Sequence, residues 1–496
     1  MLAWKRKIRL FWLILLGLIL IFCVYQTVSP TGSWTCHQDF SAPAARLKGQ
    51  SCLGLPSPAE RVAAGQHNPL LMLADPIYFS VFSPRAFTKA EVEIIYRPHL
   101  SSSTPIFESG FLADKKLWRY RLEPVYNIWL EQGFSGWPEL TAGQLHLFQR
   151  QARFSSVDEF LKAWREQGTR LCATKNCLAV YNISLADFPP ALDLNSLSQE
   201  SGETVFPYTL RGAHQFYFYL PTAGLHLAGA IIDRNENKDR DAAEVLIFSG
   251  QRQVASFDFP DNRNQREESG DISSPQAFQI SRSDLPAGLY RLELRANDDL
   301  LFSGLKINSL QFAAINKLAV IGQEPVDLIT DAPYLQIKTW DPASLQTISF
   351  GGTDLKIKEI YHQYEIKSQR PGWQKISSPR GGLILENSGV LAATPAALIN
   401  PDYPRLDRFA PLSEQLDFVL ADYQPAQILT DGWLRTKLEF DAAGLYREKN
   451  RYSLIFSVPG LQLDNGAGGF VEIKEINLHF SGKNLLTKLK EIIFKK

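Results

Sequence analysis

Apolar and polar positions alternate with a period of two through much of this chain. In residues 289–295, Tyr290, Leu292 and Leu294 fall on one side while Arg291, Glu293 and Arg295 fall on the other. A strand so patterned has one dry and one wet face, which marks an antiparallel sandwich rather than a parallel sheet covered on both sides. Similar runs at 77–82, 91–96 and 117–122, separated by Pro, Ser, Gly or Asp, predict strands early in the chain. Further strands are predicted at 225–232, 244–249, 305–312, 334–340, 345–350, 416–421, 436–440, 452–457 and 471–480. One segment breaks the pattern. Ser155-Ser156 precedes Val157-Asp158-Glu159, and Phe160, Leu161 and Trp164 share a face, which predicts a capped helix near 156–166.

An internal echo suggests where the strands close on themselves. Tyr290-x-Leu292-x-Leu294 is followed by Ile307-x-x-Leu310-x-Phe312, and Tyr452-x-Leu454-x-Phe456 by Ile473-x-x-Ile476-x-Leu478. The second member of each pair slips by one residue at the same place, as a β-bulge would. Each pair then reads as the closing strands of one sandwich. The expected fold is all-β: two or three consecutive antiparallel β-sandwich domains, jelly-roll or immunoglobulin-like, with few short helices. The domains are expected at 69–210 (β-rich, with the inserted helix), 211–320 and 321–482. Residues 29–68, rich in Ser, Pro, Ala and Gly, read as a stalk.

The N-terminus adds a location. Lys5, Arg6, Lys7 and Arg9 precede residues 10–28, which carry no charge. About 19 apolar residues at ~1.5 Å each nearly cross a ~30 Å hydrocarbon layer. The basic residues 1–9 should stay cytoplasmic, which places the rest of the chain outside. The flank Gln26-Thr27-Val28-Ser29-Pro30 lacks a small-residue cleavage motif, so a retained single-pass anchor is favoured over a cleaved signal. At the other end, residues 483–496 place Leu485, Leu486, Leu489, Ile492 and Ile493 at helical spacing among lysines. That predicts a short basic amphipathic helix, seated on a membrane or on a neighbouring sandwich.

Charge is balanced, 52 basic against 52 acidic residues in 496, which leaves no electrostatic footprint for nucleic acid. Aromatic content of 11% with only two Met suits strands better than helical bundles. Apart from Cys23, the cysteines form two close pairs, Cys36 with Cys52 and Cys172 with Cys177. In an oxidising compartment each pair is expected to close a loop. A zinc site is the weaker reading, because no Cys-x-x-Cys or His-x-x-x-His accompanies them.

In Tyr452 to Leu478, and less closely in Tyr290 to Phe312, the chain resembles the accessory β-sandwich and jelly-roll modules of exported carbohydrate-active and surface proteins. The resemblance is one of architecture, and architecture does not fix function. Together with the anchor read from the N-terminus, it implies an extracellular binding module whose ligand is a glycan or a surface protein.

Three features carry candidate chemistry. In residues 233–244, Asp233, Asn235, Asn237, Asp239, Asp241 and Glu244 fall at the oxygen-donor spacing of a Ca2+ loop. Against it, Lys238 stands where that loop takes glycine, and the plain alternative is a solvated hairpin tip. Trp129 and Trp137, together with Tyr217 and Tyr219, are candidate ligand-binding aromatics, with core packing as the alternative. Catalysis has little local support: there is no His-Glu-x-x-His, Gly-x-Ser-x-Gly elbow or Walker loop. A glycosidase needs only two carboxylates from distant positions, and Glu108, Asp114 and Glu123 are acids of that kind. The leading expectation is a non-catalytic binding module; an anchored glycan-processing hydrolase and an adhesive scaffold are the rivals.

Overall fold

The computed structural model describes residues 11–23, 32–41, 52–64, 69–115, 118–172, 177–183, 189–192, 194, 197–234, 242–259, 274–368, 370, 372–409, 416–463 and 469–482. They are mostly β, in several largely antiparallel sheets with few helices. The chain divides into two compact units, Met1–Gly136 with Tyr423–Lys496, and Trp137–Asp422.

In the first unit two sheets enclose a core. One runs Val62–Ala64, Leu70–Met72, Gly469–Ser481, Lys89–Leu100, Leu434–Asp441 and Gln427–Ile428, with Ser33–Asp39 also paired to Gly469–Ser481. The other runs Arg447–Glu448, Arg451–Ser457, Ile106–Asp114 and Arg119–Asn127, with Ile77–Phe82 on Arg451–Ser457. Alternation dictates which side chains meet. Tyr96 packs edge-on to Phe107 at 5.4 Å, Phe111 to Phe440 at 5.1 Å, and Tyr452 stacks on Phe480 at 5.4 Å. The slip read from Ile473-x-x-Ile476 is a true irregularity: the register with Lys89–Leu100 shifts between Ile473 and Glu475.

The second unit holds a small sheet, Leu178–Tyr181, Phe418–Asp422, Leu145–Gln149 and Glu139–Ala142, whose first pair is parallel. The predicted helix is present as Val157–Gln167, capped by Ser156, whose side chain accepts from the Glu159 N–H. Phe160 and Trp164 bury against Phe418, and the Trp164 Nε1–H donates to the Tyr403 hydroxyl at 2.9 Å.

The remaining strands of this unit, from Thr204–Val205 to Leu383–Ala392, share one continuous hydrophobic cluster. Arg252–Phe259, Ala243–Ser249, Gly288–Arg295, His214–Leu220 and Phe312–Ile321 pair in that order. Gln276–Arg282, Leu225–Asp233 and Leu300–Ile307 pair in turn, and Thr209–Arg211 joins both Leu300–Ile307 and Phe312–Ile321. Phe312–Ile321 also pairs with Leu383–Ala392, which pairs with Tyr334–Thr339.

Several expected boundaries differ from this arrangement. Residues 33–39, placed in the stalk, form a strand along Gly469–Ser481, and Cys36 and Gln38 are buried by it. The 321–482 module is divided: Leu434–Asp441, Arg451–Ser457 and Gly469–Ser481 pair with strands before residue 137. No break falls at 320, because Phe312–Ile321 is hydrogen-bonded to strands on both sides of that position. The strand expected at 305–312 is the end of one strand and the start of another. Between them the Ser309 hydroxyl binds the carbonyls of Tyr219 and Gln311.

At the N-terminus, residues 11–23 are helical, whereas residue 10 and residues 24–28 of the expected span lie outside the described residues. No helix among the described residues is long and apolar enough to cross a membrane. The amphipathic segment 483–496 also lies outside them.

Candidate functional site: a cleft on the sheet face of the second unit

The same alternation that fills the core of the second unit builds a surface on its reverse side. Leu210, Leu300, Phe302, Leu318, Val320, Ile337, Leu383 and Leu385 point into the core. Their neighbours Arg211, Leu301, Lys317, Ala319, Ile321, Lys338 and Ile384 therefore point the other way. Register places them side by side: Leu301 lies opposite Arg211, Ala319 opposite Ile384, and Ile384 opposite Lys338. These residues line a cleft of about 810 Å³, completed by Arg234, Asp298, Gly322, Gln323, Trp340, Asp341, Pro342, Tyr361 and Gly382. That volume is in the range that holds small ligands.

Trp340 follows directly on the strand Tyr334–Thr339 and is held by a tightly bonded turn. The Thr339 hydroxyl donates to the Gly382 carbonyl at 2.7 Å, and the Ser344 hydroxyl to the Gly381 carbonyl at 2.7 Å. Asp341 accepts from the Ala343 N–H at 2.9 Å, which commits one of its carboxylate oxygens to the turn. Gly382 has φ of +77°, and a Cβ there would lie 2.1 Å from the Ser344 hydroxyl, so only glycine lets the turn sit this close.

Tyr361 also has positive φ, 59°, uncommon for a residue with a Cβ. Its N–H donates to the Thr339 carbonyl at 2.7 Å, which fixes it one residue from Trp340, and the residue is 67% exposed. At the same end, the Arg211 guanidinium lies 4.9 Å from the Trp340 ring centroid, and its Nε donates to the Asp298 carbonyl at 2.9 Å.

His214 braces the floor from beneath. Its Nδ1–H donates to the Gly212 carbonyl at 3.0 Å, and its Nε2 accepts from the Ala319 N–H at 2.9 Å. Burial pushes its pKa down to about 4, with the positive charge of Lys317 acting in the same direction. The ring is therefore neutral at pH 7, in the one tautomer both bonds allow.

The residues singled out from sequence lie elsewhere. Trp129 is buried, 7% exposed, in the π-helical turn Trp129–Gly133, and its N–H donates to the Asn127 Oδ1 at 3.0 Å, so its ring is part of a core. Trp137 is half-buried with the Arg150 guanidinium 5.0 Å from its ring centroid. Tyr219 is buried, and the half-buried Tyr217 donates to the Asp402 carboxylate at 2.9 Å; both pack in a satellite apolar cluster with Ala397 and Ile399. Of the Ca2+ loop, Asn235, Asn237, Asp239 and Asp241 lie outside the described residues. Asp233 ends the strand Leu225–Asp233, and the Glu244 carboxylate lies 3.9 Å from Arg295.

Both cysteine pairs are disulfides, with Cα separations of 5.8 Å for Cys36–Cys52 and 6.0 Å for Cys172–Cys177. The Asp417 carboxylate lies within 4.8 Å of the second pair, but bonded sulfurs are no longer thiolate ligands. Of the acids considered for catalysis, Glu108 and Glu123 are on adjacent strands, and Glu123 lies 3.7 Å from Arg121.

Sequence reasoning missed every residue of the cleft. Trp340 and Tyr361 stand just beyond strands, in turns with no period. The one available signal was the wet side of alternation in Lys317, Ala319 and Ile321, where apolar residues sit on the face that should be polar.

No family model matches the chain, and no curated protein sequence does. Among solved structures, the VP2 protein of infectious bursal disease virus aligns over 94% of this chain and 85% of its own, at 8% identity and a TM-score of 0.15. The tandem CBM22-1-CBM22-2 domain of Paenibacillus barcinonensis Xyn10C aligns over 56% of this chain and 93% of its own, at 7% identity and a TM-score of 0.14. Dimeric latent PorU from Porphyromonas gingivalis aligns over 65% and 34%, at 10% identity and a TM-score of 0.14. TM-scores of this size transfer neither fold nor function to this chain.

Proposed function

We propose that this chain is a non-catalytic, membrane-tethered, extracytoplasmic binding protein of β-sandwich units whose ligand is a glycan held in the cleft of the second unit. The observation that carries the reading is the pairing of Trp340 with the exposed Tyr361 at one end of a floor formed by Leu301, Ala319, Ile321 and Ile384. A flat aromatic ring receives the apolar face of a pyranose, while the sugar hydroxyls take hydrogen bonds from the charged and amide groups around the floor. Asp341 is engaged in holding its own turn, which favours binding over acid–base chemistry at this site.

The tether rests on the helical residues 11–23, in which Phe11, Trp12, Leu13, Ile14 and Leu16 are each more than half exposed. The disulfides agree with an oxidising compartment.

The test is a glycan array probed with the full-length chain in detergent. Wild type should retain a defined set of glycans, and Trp340→Ala and Tyr361→Ala should each weaken retention about tenfold, equivalent to about 1.4 kcal/mol. Retention unchanged in both variants, or no glycan retained, would overturn the reading. Turnover of a retained glycan would establish the hydrolase instead.

A further inference from the structure

Resting on the glycan reading, we infer that the cleft selects an anionic glycan, one whose saccharide units carry carboxylate or sulfate groups. The charge around the floor is asymmetric: Arg211, Arg234, Lys317 and Lys338 line it, against Asp298 and Asp341. Both acids sit beside the turns that frame the cleft, and Asp341 is bonded within its own turn. The two lysines rise from the floor itself. Lys338 stands next to Ile384, and Lys317 is two residues along the same strand face from Ala319.

These lysines differ from three others on the faces of this unit. Lys306 pairs with Glu203 at 2.9 Å, Lys375 with Asp327 at 3.1 Å and Lys367 with Glu365 at 3.6 Å. Among the described residues, neither Lys317 nor Lys338 forms an ion pair, although Glu386 lies opposite Lys317 in register. Two ammonium groups beside an apolar floor leave positive charge for a ligand to neutralise.

The geometry also orders the ligand. Arg211 and Trp340 lie at the same end, so a sugar ring stacked at Trp340 brings its substituents beside a planar donor, while the acid groups of following units extend toward Lys338 and Lys317. A neutral glycan would use the aromatic end and leave the lysines unmatched.

The experiment compares matched polymers on the full-length chain in detergent: alginate, hyaluronan and polygalacturonate against their carboxyl-reduced forms, and chondroitin sulfate against its desulfated form. The wild type should prefer at least one acidic member over its neutralised partner by tenfold or more, and that preference should shrink as NaCl rises from 50 to 500 mM. The double variant Lys317→Gln with Lys338→Gln should lose the preference while keeping residual binding that adding Trp340→Ala weakens about tenfold. A preference confined to the carboxyl pairs assigns uronates, and one confined to the sulfate pair assigns sulfated sugars. Equal binding of each acidic glycan and its neutral partner, still weakened about tenfold by Trp340→Ala, would overturn the charge selection and leave the glycan reading standing. No binding of any polymer would overturn both.

Discussion

Between pH 7 and pH 4 the buried imidazole of His214 should cost the second unit stability, and replacing it with glutamine should abolish that loss. The ring is 3% exposed and bonded at both nitrogens, to the Gly212 carbonyl and the Ala319 N–H. Burial, aided by the charge of Lys317, brings its pKa from 6.5 to about 4, outweighing the opposing bond to Gly212. Unfolded, the ring takes its proton near pH 6.5; folded, it resists until about pH 4. Between those values the unfolded chain binds more protons, so stability rises with pH across this window.

The stabilisation held in the neutral ring is complete above pH 6.5 and falls by up to about 1.4 kcal/mol per pH unit below it. About 3 kcal/mol is gone by pH 4. Glutamine carries an amide N–H for Gly212 and a carbonyl for Ala319, and does not titrate. Urea unfolding of wild type and His214→Gln at half-unit steps from pH 4 to 7.5 gives the comparison. Taking the difference at each pH cancels every other titrating group. The difference should climb by about 3 kcal/mol between pH 4 and 6.5 and then stay flat. Parallel curves through that window would refute the reasoning.

Three further outcomes follow from the packing. Tyr403→Phe should cost about 1–3 kcal/mol in urea unfolding, because the buried Trp164 Nε1–H loses its acceptor and the Pro189 carbonyl its donor; an unchanged midpoint would contradict it. Replacing Cys36 and Cys52 together with serine should lower the stability of the first unit by about 3 kcal/mol, from the 16-residue separation it closes, and non-reducing mass mapping should show the bond in the parent. Gly110→Ala should cost about 3 kcal/mol or more, since its Cβ would lie 1.8 Å from the Arg121 carbonyl oxygen. Gly136→Ala, whose Cβ meets nothing within 4 Å, is the control and should change thermal unfolding little.

Strands were legible because alternation is local. The expected 225–232, 244–249, 334–340 and 452–457 fall on Leu225–Asp233, Ala243–Ser249, Tyr334–Thr339 and Arg451–Ser457. The helix was legible for the same reason, its Ser156 cap and its Phe160 and Trp164 lying within a few turns of each other. Pairing was not. Gly469–Ser481 joins Lys89–Leu100 and Ser33–Asp39 across hundreds of residues, and alternation carries no information about a partner.

The two echoes separated for a physical reason. Ile473 to Leu478 bulges within one strand, whereas Ile307 to Phe312 turns a corner around Ser309, and both produce the same slip in period. Large aromatics could not be sorted from sequence, because a ring there has no stated environment. Trp129 is packed and Trp340 lines a cleft, though each stands just beyond a strand at a turn.

The most direct test of the cleft as a glycan site is a structure of the protein determined with an acidic oligosaccharide at saturating concentration. A sugar ring should lie over Trp340, with an acid group within about 2.7–3.2 Å of the Lys317 or Lys338 ammonium. A sugar bound elsewhere on the molecule, with the cleft between Trp340 and Lys317 holding only solvent, would contradict it.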